Sequence, residues 1–203
     1  MTAPPRTRAD LVLSRTDEEV FEPDAVTDAP LVRFVAYLDH EHVFGWVHLA
    51  ADRLTDLLNA HDELHLADAQ VESLDDGVAG LVDELVLQCR DIIAVVAAPP
   101  RGAERLRRRT RRHALAIRSG SYLIGGHLHV SPGADPLVDV MERAAVFPLT
   151  DAWIEYWSGG ERRHESTGTI LVNRERTDSI RLVTDDDLAD GGLLPWGTRG
   201  PTA

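Results

Sequence analysis

Val43-Phe44-Gly45-Trp46-Val47-His48-Leu49 and Ile124-Gly125-Gly126-His127-Leu128-His129-Val130 read as two versions of one strand. Val43, Gly45, Val47 and Leu49 fall on one face, and Ile124, Gly126, Leu128 and Val130 fall on the matching face. A period of two is what a strand with one buried side requires. Both versions carry a glycine in mid-strand, Gly45 and Gly126. A strand glycine packs nothing itself and marks a sharp bend or a close backbone approach.

The match extends in both directions. His48 meets His129, and after a two-residue insertion in the second version Asp52 meets Asp135, Leu54 meets Leu137 and Asp56 meets Asp139. Leu66-Ala67-Asp68-Ala69 meets Leu149-Thr150-Asp151-Ala152, and Glu72 meets Glu155. Leu85-Val86-Leu87-Gln88 lies against Ile170-Leu171-Val172-Asn173, and Val95 and Ala97 lie against Ile180 and Leu182. Self-similarity of this kind means repeated structural units rather than one undivided pattern. The expected organisation is a tail over residues 1–30, a first β-repeat over 31–98, an arginine-rich connector over 99–112, a second β-repeat over 113–184 and a tail over 185–203. Both tails are rich in polar, acidic, Pro or Gly residues, which favours disorder.

Each repeat reads as the same string of elements. A first strand runs near Leu31 to Leu38 and again near His113 to Arg118. After the glycine-bearing second strand comes a short helix, with Asp52 and Asp135 as N-caps and Pro136 at the first helical position. Leu54, Leu57 and Leu58, matched by Leu137, Val140 and Met141, recur at helical spacing. A third strand starts near Leu64 and Phe147, and a fourth and fifth form a tight pair around Gln88–Asp91 and Asn173–Arg176. The fold class is therefore mainly β with short helices (α+β). It is expected to form two tandem five-stranded small barrels, each with a helix between strands two and three. Closure of each barrel on itself would remove its edges.

The order strand, bent glycine-containing strand, strand and closing hairpin resembles the Sm-like fold. Ile170-Leu171-Val172-Asn173-Arg174 through Ile180 is similar in shape to the second Sm motif. Phe147-Pro148-Leu149-Thr150-Asp151-Ala152, followed by Val172-Asn173-Arg174-Glu175, also resembles an uncharacterised family of small bacterial domains. The chain departs from Sm proteins in three respects. The helix before strand one is missing, an inserted helix occupies the loop that contacts RNA in Sm rings, and the Arg-Gly of the closing motif is absent. RNA binding therefore does not carry over with the resemblance.

Composition narrows the function classes. The net charge of −13 opposes general attraction to phosphate backbones. All the basic residues are arginine. The lone Cys89 excludes an intrachain disulfide and a cysteine-cluster zinc site. The apolar run near Ile92 to Ala98 is far short of the roughly 20 residues that span a bilayer. No apolar segment marks a signal peptide at the start, so a cytoplasmic location is expected and no membrane contact.

Four groups of residues are candidates for function. His127 and His129 form an H-x-H on one strand face, and two imidazoles at that spacing can share a metal. His48, His113 and several carboxylates are conceivable third ligands, but none is assigned, so exposed or interfacial histidines are the preferred reading and no cofactor is expected. Arg107, Arg108, Arg109, Arg111 and Arg112 dominate a connector whose seven arginines against one glutamate give it +6 and leave −19 elsewhere. Such a run suits an anionic partner or the chain's own acidic surface. Trp153 and Trp157 fall on the outward side of strand three, and Trp196 lies in the C-terminal tail; all three are candidate protein contacts, with packing of the two strand tryptophans against the other barrel or the inserted helix as an equal alternative. Asp68 and Asp151 recur in register, with a strand-edge or turn-capping role preferred over acid–base chemistry. The Asp39-His40-Glu41-His42 turn reads as a polar hairpin tip. Taken together the sequence predicts a non-catalytic bacterial assembly or regulatory module that binds a protein partner or itself. The alternatives are nucleic-acid binding through the connector and a metal-dependent enzyme centred on the histidines.

Overall fold

The computed structural model describes residues 29–97 and 110–189. The first run of elements is β1 (Leu31–Tyr37), β2 (Glu41–His48), α1 (Leu54–Ala60), β3 (Glu63–Ser73), β4 (Ala79–Gln88), a 3-10 turn (Cys89–Asp91) and β5 (Ala94–Val96). The second is β6 (Arg111–Ser119), β7 (Tyr122–Val130), α2 (Pro136–Glu142), β8 (Val146–Ser158), β9 (Glu161–Asn173), a 3-10 turn (Arg174–Arg176), β10 (Ser179–Leu182) and a short α3 (Asp185–Ala189). The same elements thus occur twice in the same order. Arg111 and Arg112, expected in the connector, are the first residues of β6, opposite Val130 and His129. Residues 185–189, expected in the tail, form α3.

All ten strands join one antiparallel sheet in the order β10-β6-β7-β8-β9-β5-β1-β2-β3-β4. The fourth and fifth strands of a repeat do not pair with each other, contrary to the expected tight hairpin, and the sheet is not closed. Each 3-10 turn carries the chain from the fourth strand across to the far side of the first. There β5 pairs with β1 and β10 pairs with β6. The open side of β5 is then taken by β9, with Ala94 opposite Val172, Val95 opposite Leu171 and Val96 opposite Ile170.

The bend read from the glycines is a β-bulge, and it is duplicated. Between the pairs Phe44/Gln70 and Trp46/Ala67, Gly45 alone spans Asp68 and Ala69; between Gly125/Trp153 and His127/Thr150, Gly126 spans Asp151 and Ala152. Asp68 and Asp151 are the only non-glycine residues at positive φ among the described residues, at 48° and 47°. Aspartate tolerates this left-handed conformation better than most residues, and an extra residue held there accentuates the strand's twist. Their recurrence therefore reflects backbone geometry. A Cβ on Gly126 would lie 2.9 Å from the Cβ atoms of Ala152 and Leu149. These atoms are tied to backbone and cannot swing away. Gly126→Ala is expected to destabilise the fold by about 1–3 kcal/mol, the usual range for overpacking, as read by a fall in the urea midpoint.

The helices differ in how they start. Asp135 caps α2 by accepting from the N–H groups of Leu137 and Val138 at 2.8 and 3.3 Å, with Pro136 beginning the helix. Asp52 does not cap α1; the N-cap is Arg53, with no side-chain hydrogen bond. Burial of Leu54, Leu57 and Leu58 fixes α1 instead.

The repeats have separate apolar clusters that borrow from one another. The first contains Phe34, Val43, Val47, Leu58, Leu66 and Val95, and is completed by Val146 and Leu171 of the second repeat. The second contains Leu115, Ile124, Leu128, Leu149 and Ile154, and is completed by Val35, Tyr37, Leu74, Ile93 and Ala94 of the first. Polar clamps reinforce the joint. Asn59 of α1 donates to the Val146 carbonyl and accepts from the Val146 N–H, both at 2.9 Å. Asn173 donates to the Ile92 carbonyl at 3.0 Å. Tyr37 and Tyr156 both donate to Glu165, the first at 3.1 Å, while Tyr122 donates to the Leu38 carbonyl at 2.6 Å. Burial holds all three phenols well above their ordinary pKa, so they remain neutral donors. His42, expected at an exposed tip, is buried among Tyr37, Phe44 and Tyr156. Burial lowers its pKa.

Candidate functional site

The densest group of chemically capable side chains lies on the outward face of the second repeat. Alternation along β7 puts Leu128 inside and His127 and His129 outside, as the sequence indicates. His127 is nevertheless only 8% exposed. Its Nε2 lies 3.0 Å from Asp185 of α3, and its Nδ1 lies 3.8 Å from Asp151 and has no hydrogen-bond partner among the described residues. Asp151 in turn accepts from Arg112 at 3.0 Å.

His129 points to different partners. Its Nε2 meets the Thr150 hydroxyl at 2.8 Å and its Nδ1 meets the Thr110 hydroxyl at 3.2 Å. Burial, followed by the nearby Arg112 charge, lowers its pKa. The two histidines therefore do not converge on a shared point. Among the described residues no group of three or more His, Cys, Asp or Glu side chains is placed to hold a metal ion. His48 sits in the other repeat with its Nδ1 3.2 Å from the Ala29 carbonyl, and His113 lies on β6 opposite Leu128.

Trp153 lies on the outward face of β8 but is covered within the chain. It is 7% exposed. Its ring lies over Gly125, where an added Cβ would come within 2.3 Å of the indole, and its N–H donates to the Leu188 carbonyl at 3.1 Å. Ala114 and Leu188 complete a small satellite cluster with it. Trp153 is thus the seat on which α3 docks. Thr184 and Asp187 hold the start of α3: the Thr184 hydroxyl and N–H donate to the Asp187 carboxylate at 2.6 and 3.1 Å. These hydrogen bonds keep the Asp187 carboxyl below its usual range. The shallow pocket beside α3 is lined by His127, Asp151, Trp153, His164, Ser166 and Asp185.

The remaining candidates are scattered. Trp157 is 49% exposed near the end of β8. Asp68 and Asp151 stand in different repeats, and only Asp151 joins an ion-pair group. Arg111 and Arg112 are both exposed, and Arg112 pairs with Asp151 at the surface. Trp196 and Arg107, Arg108 and Arg109 lie outside the described residues. Burial pushes the Cys89 thiol up to about 11, so it is a poor nucleophile.

Two features escape a reading of the sequence alone. Trp46 is exposed at the position equivalent to His127, and the repeat alignment holds that signal. Leu81, Val86, Met141 and Leu182 are also exposed, on or beside the two ends of the sheet. Comparison with protein-family models, with curated proteins and with solved structures finds no match to this chain. None of the described helices is long and apolar enough to cross a membrane.

Proposed function

We propose that the chain is a non-catalytic assembly or regulatory module, built from two Sm-like units and working through protein contacts. The duplicated bulge with its bent second strand, and the 3-10 turn between fourth and fifth strands, support the Sm-like reading of each unit. The observation that carries the functional reading is where the exposed apolar side chains lie. Leu81 and Val86 stand on β4, Leu182 on β10, and Leu137 and Met141 on α2 beside β10; Trp157 is exposed apart from these edges, near the end of the interior strand β8. Apolar side chains left exposed at unpaired strand edges offer a contact surface, whereas scattered ones elsewhere are ordinary. Nucleic-acid binding is the weaker reading, because Arg112 of the basic cluster already serves Asp151 and the chain as a whole is acidic.

A photo-activatable phenylalanine analogue in place of Trp157, expressed in the native cell, tests the reading. A discrete light-dependent adduct of this chain with a protein is expected. Absence of any adduct from position 157, and from position 46 probed in the same way, contradicts the reading.

A further inference from the structure

The sheet order contains the same five-strand sequence twice, laid end to end: fifth, first, second, third, fourth. The repeats therefore meet where a fourth strand, β9, pairs with a fifth strand, β5. The ends of the sheet are another fourth strand, β4, and another fifth strand, β10. We propose that copies of this chain join head to tail, the β4 edge of one adding to the β10 edge of the next in the register that β9 takes on β5 inside each chain. This rests on the reading of the chain as an assembly module and names the partner as a second copy.

The side chains support the equivalence. Leu171 on β9 is 2% exposed at the internal joint, while its counterpart Val86 on β4 is 50% exposed. Leu58 on α1 is 4% exposed beneath the same joint, while its counterpart Met141 on α2 is 62% exposed. Val86 and Met141 are thus apolar and open where their internal counterparts are buried. Val146 and Leu171 are the only residues of the second repeat that enter the first repeat's described cluster, where they join Leu54, Leu58, Cys89 and Val95. The counterparts of those four, Leu137, Met141, Arg174 and Ile180, line a groove between α2 and β10. The counterparts of the two plugging residues are Glu63 and Val86, on adjacent strands β3 and β4.

The changes of polarity match across the proposed joint. Cys89 becomes Arg174 in the groove, and Val146 becomes Glu63 on the incoming edge. The Arg174 Nε is buried without a hydrogen-bond partner among the described residues, and a carboxylate supplies the missing acceptor. Further along, the ring pair Tyr37 and Tyr122 becomes Arg118 and Glu41, again of opposite charge. The β4 edge near the joint, Leu85-Val86-Leu87, carries none of the charges or prolines that normally blunt an exposed edge. Because the two surfaces differ, the contact is heterologous, and it leads to a ring or a filament according to the rotation between copies.

Sedimentation of the full chain tests this. The wild type is expected to form species whose masses are multiples of 22.4 kDa. Val86→Arg blocks one surface and Met141→Arg blocks the other, and each variant alone is expected to sediment as a single chain. Each keeps the surface the other lacks, so an equimolar mixture is expected to give a particle of twice the chain mass and nothing larger. Both sites are exposed, and circular dichroism checks that each variant folds. As an independent pair, Glu63→Arg is expected to weaken assembly and Glu63→Arg with Arg174→Glu to restore it. A wild type that stays at one chain mass, including one whose edges are covered by its own connector or tails, overturns the proposal. So does a mixture that leaves both variants as single chains. An adduct from position 157 with a different protein, alongside a single-chain wild type, removes the head-to-tail joint while the module reading stands.

Discussion

Leu171→Ala is expected to destabilise the fold by about 2–5 kcal/mol, the range for truncating a buried leucine. Leu171 is carried on β9 of the second repeat, yet its side chain belongs to the apolar cluster of the first. The loss should therefore spread across the joint. Hydrogen exchange is expected to quicken in β1, β2 and β5 as well as in β8 and β9. In the Met141→Arg background, where chains stay single, Val86→Ala removes the equivalent side chain at the open edge, and an exposed substitution of this kind costs within about 0.5 kcal/mol. The contrast between the two equivalent positions measures what the internal joint contributes. Exchange changes confined to β8 and β9 would show that Leu171 serves its own repeat.

Trp153→Ala is expected to cost about 3–5 kcal/mol, as for other buried tryptophans, and to release α3. The indole supplies the surface under Leu188 and the hydrogen bond to its carbonyl. The first sign should be loss of exchange protection over residues 184–189, before global unfolding. Gly125 gives this prediction a second arm. An added Cβ there collides with the indole at 2.3–2.6 Å, so Gly125→Ala alone should destabilise the fold; in the Trp153→Ala background the same change should be tolerated. Non-additivity of this kind marks residues in direct contact. The first repeat holds the reverse arrangement, with Phe44 in place of the glycine and Gln70 in place of the tryptophan. Equal effects of Gly125→Ala in both backgrounds would contradict the packing.

The parts of the fold written in local sequence were legible. The alternation of β2 and β7, the apolar rows of α1 and α2, the Asp135-Pro136 helix start and the glycine-marked bends follow from chemistry within a few residues of each other. Strand partnership is different. A wholly apolar β5 fits equally well against β4 of its own repeat or β9 of the other, because both present apolar residues to it. The choice is made by long-range contacts such as Asn59 to Val146 and Asn173 to Ile92. His42 illustrates the same limit: three polar neighbours in sequence suggest an exposed tip, but Tyr156 and Tyr37, remote or across the turn, enclose it. The candidate site was half legible. His127 and Asp151 stood out, but their cover comes from α3, whose acidic sequence resembles a solvated tail. The outward face of Trp153 follows from strand alternation, which fixes the face of a side chain and not what lies over it.

The repeats are joined by β9 pairing with β5. Val96 and Ile170 lie directly opposite each other there, flanked by the hydrogen bonds from the Ala97 N–H to Thr169 and the Asn173 N–H to Ile93. In a Cys89→Ala background, Val96→Cys with Ile170→Cys is expected to oxidise to a disulfide within single chains, since directly opposed strand residues lie close enough to be bridged. A denatured, unreduced tryptic digest of the monomer fraction should contain the two cysteine peptides linked to each other. Recovery of both peptides unlinked with free thiols, while the protein is folded, would contradict the joint.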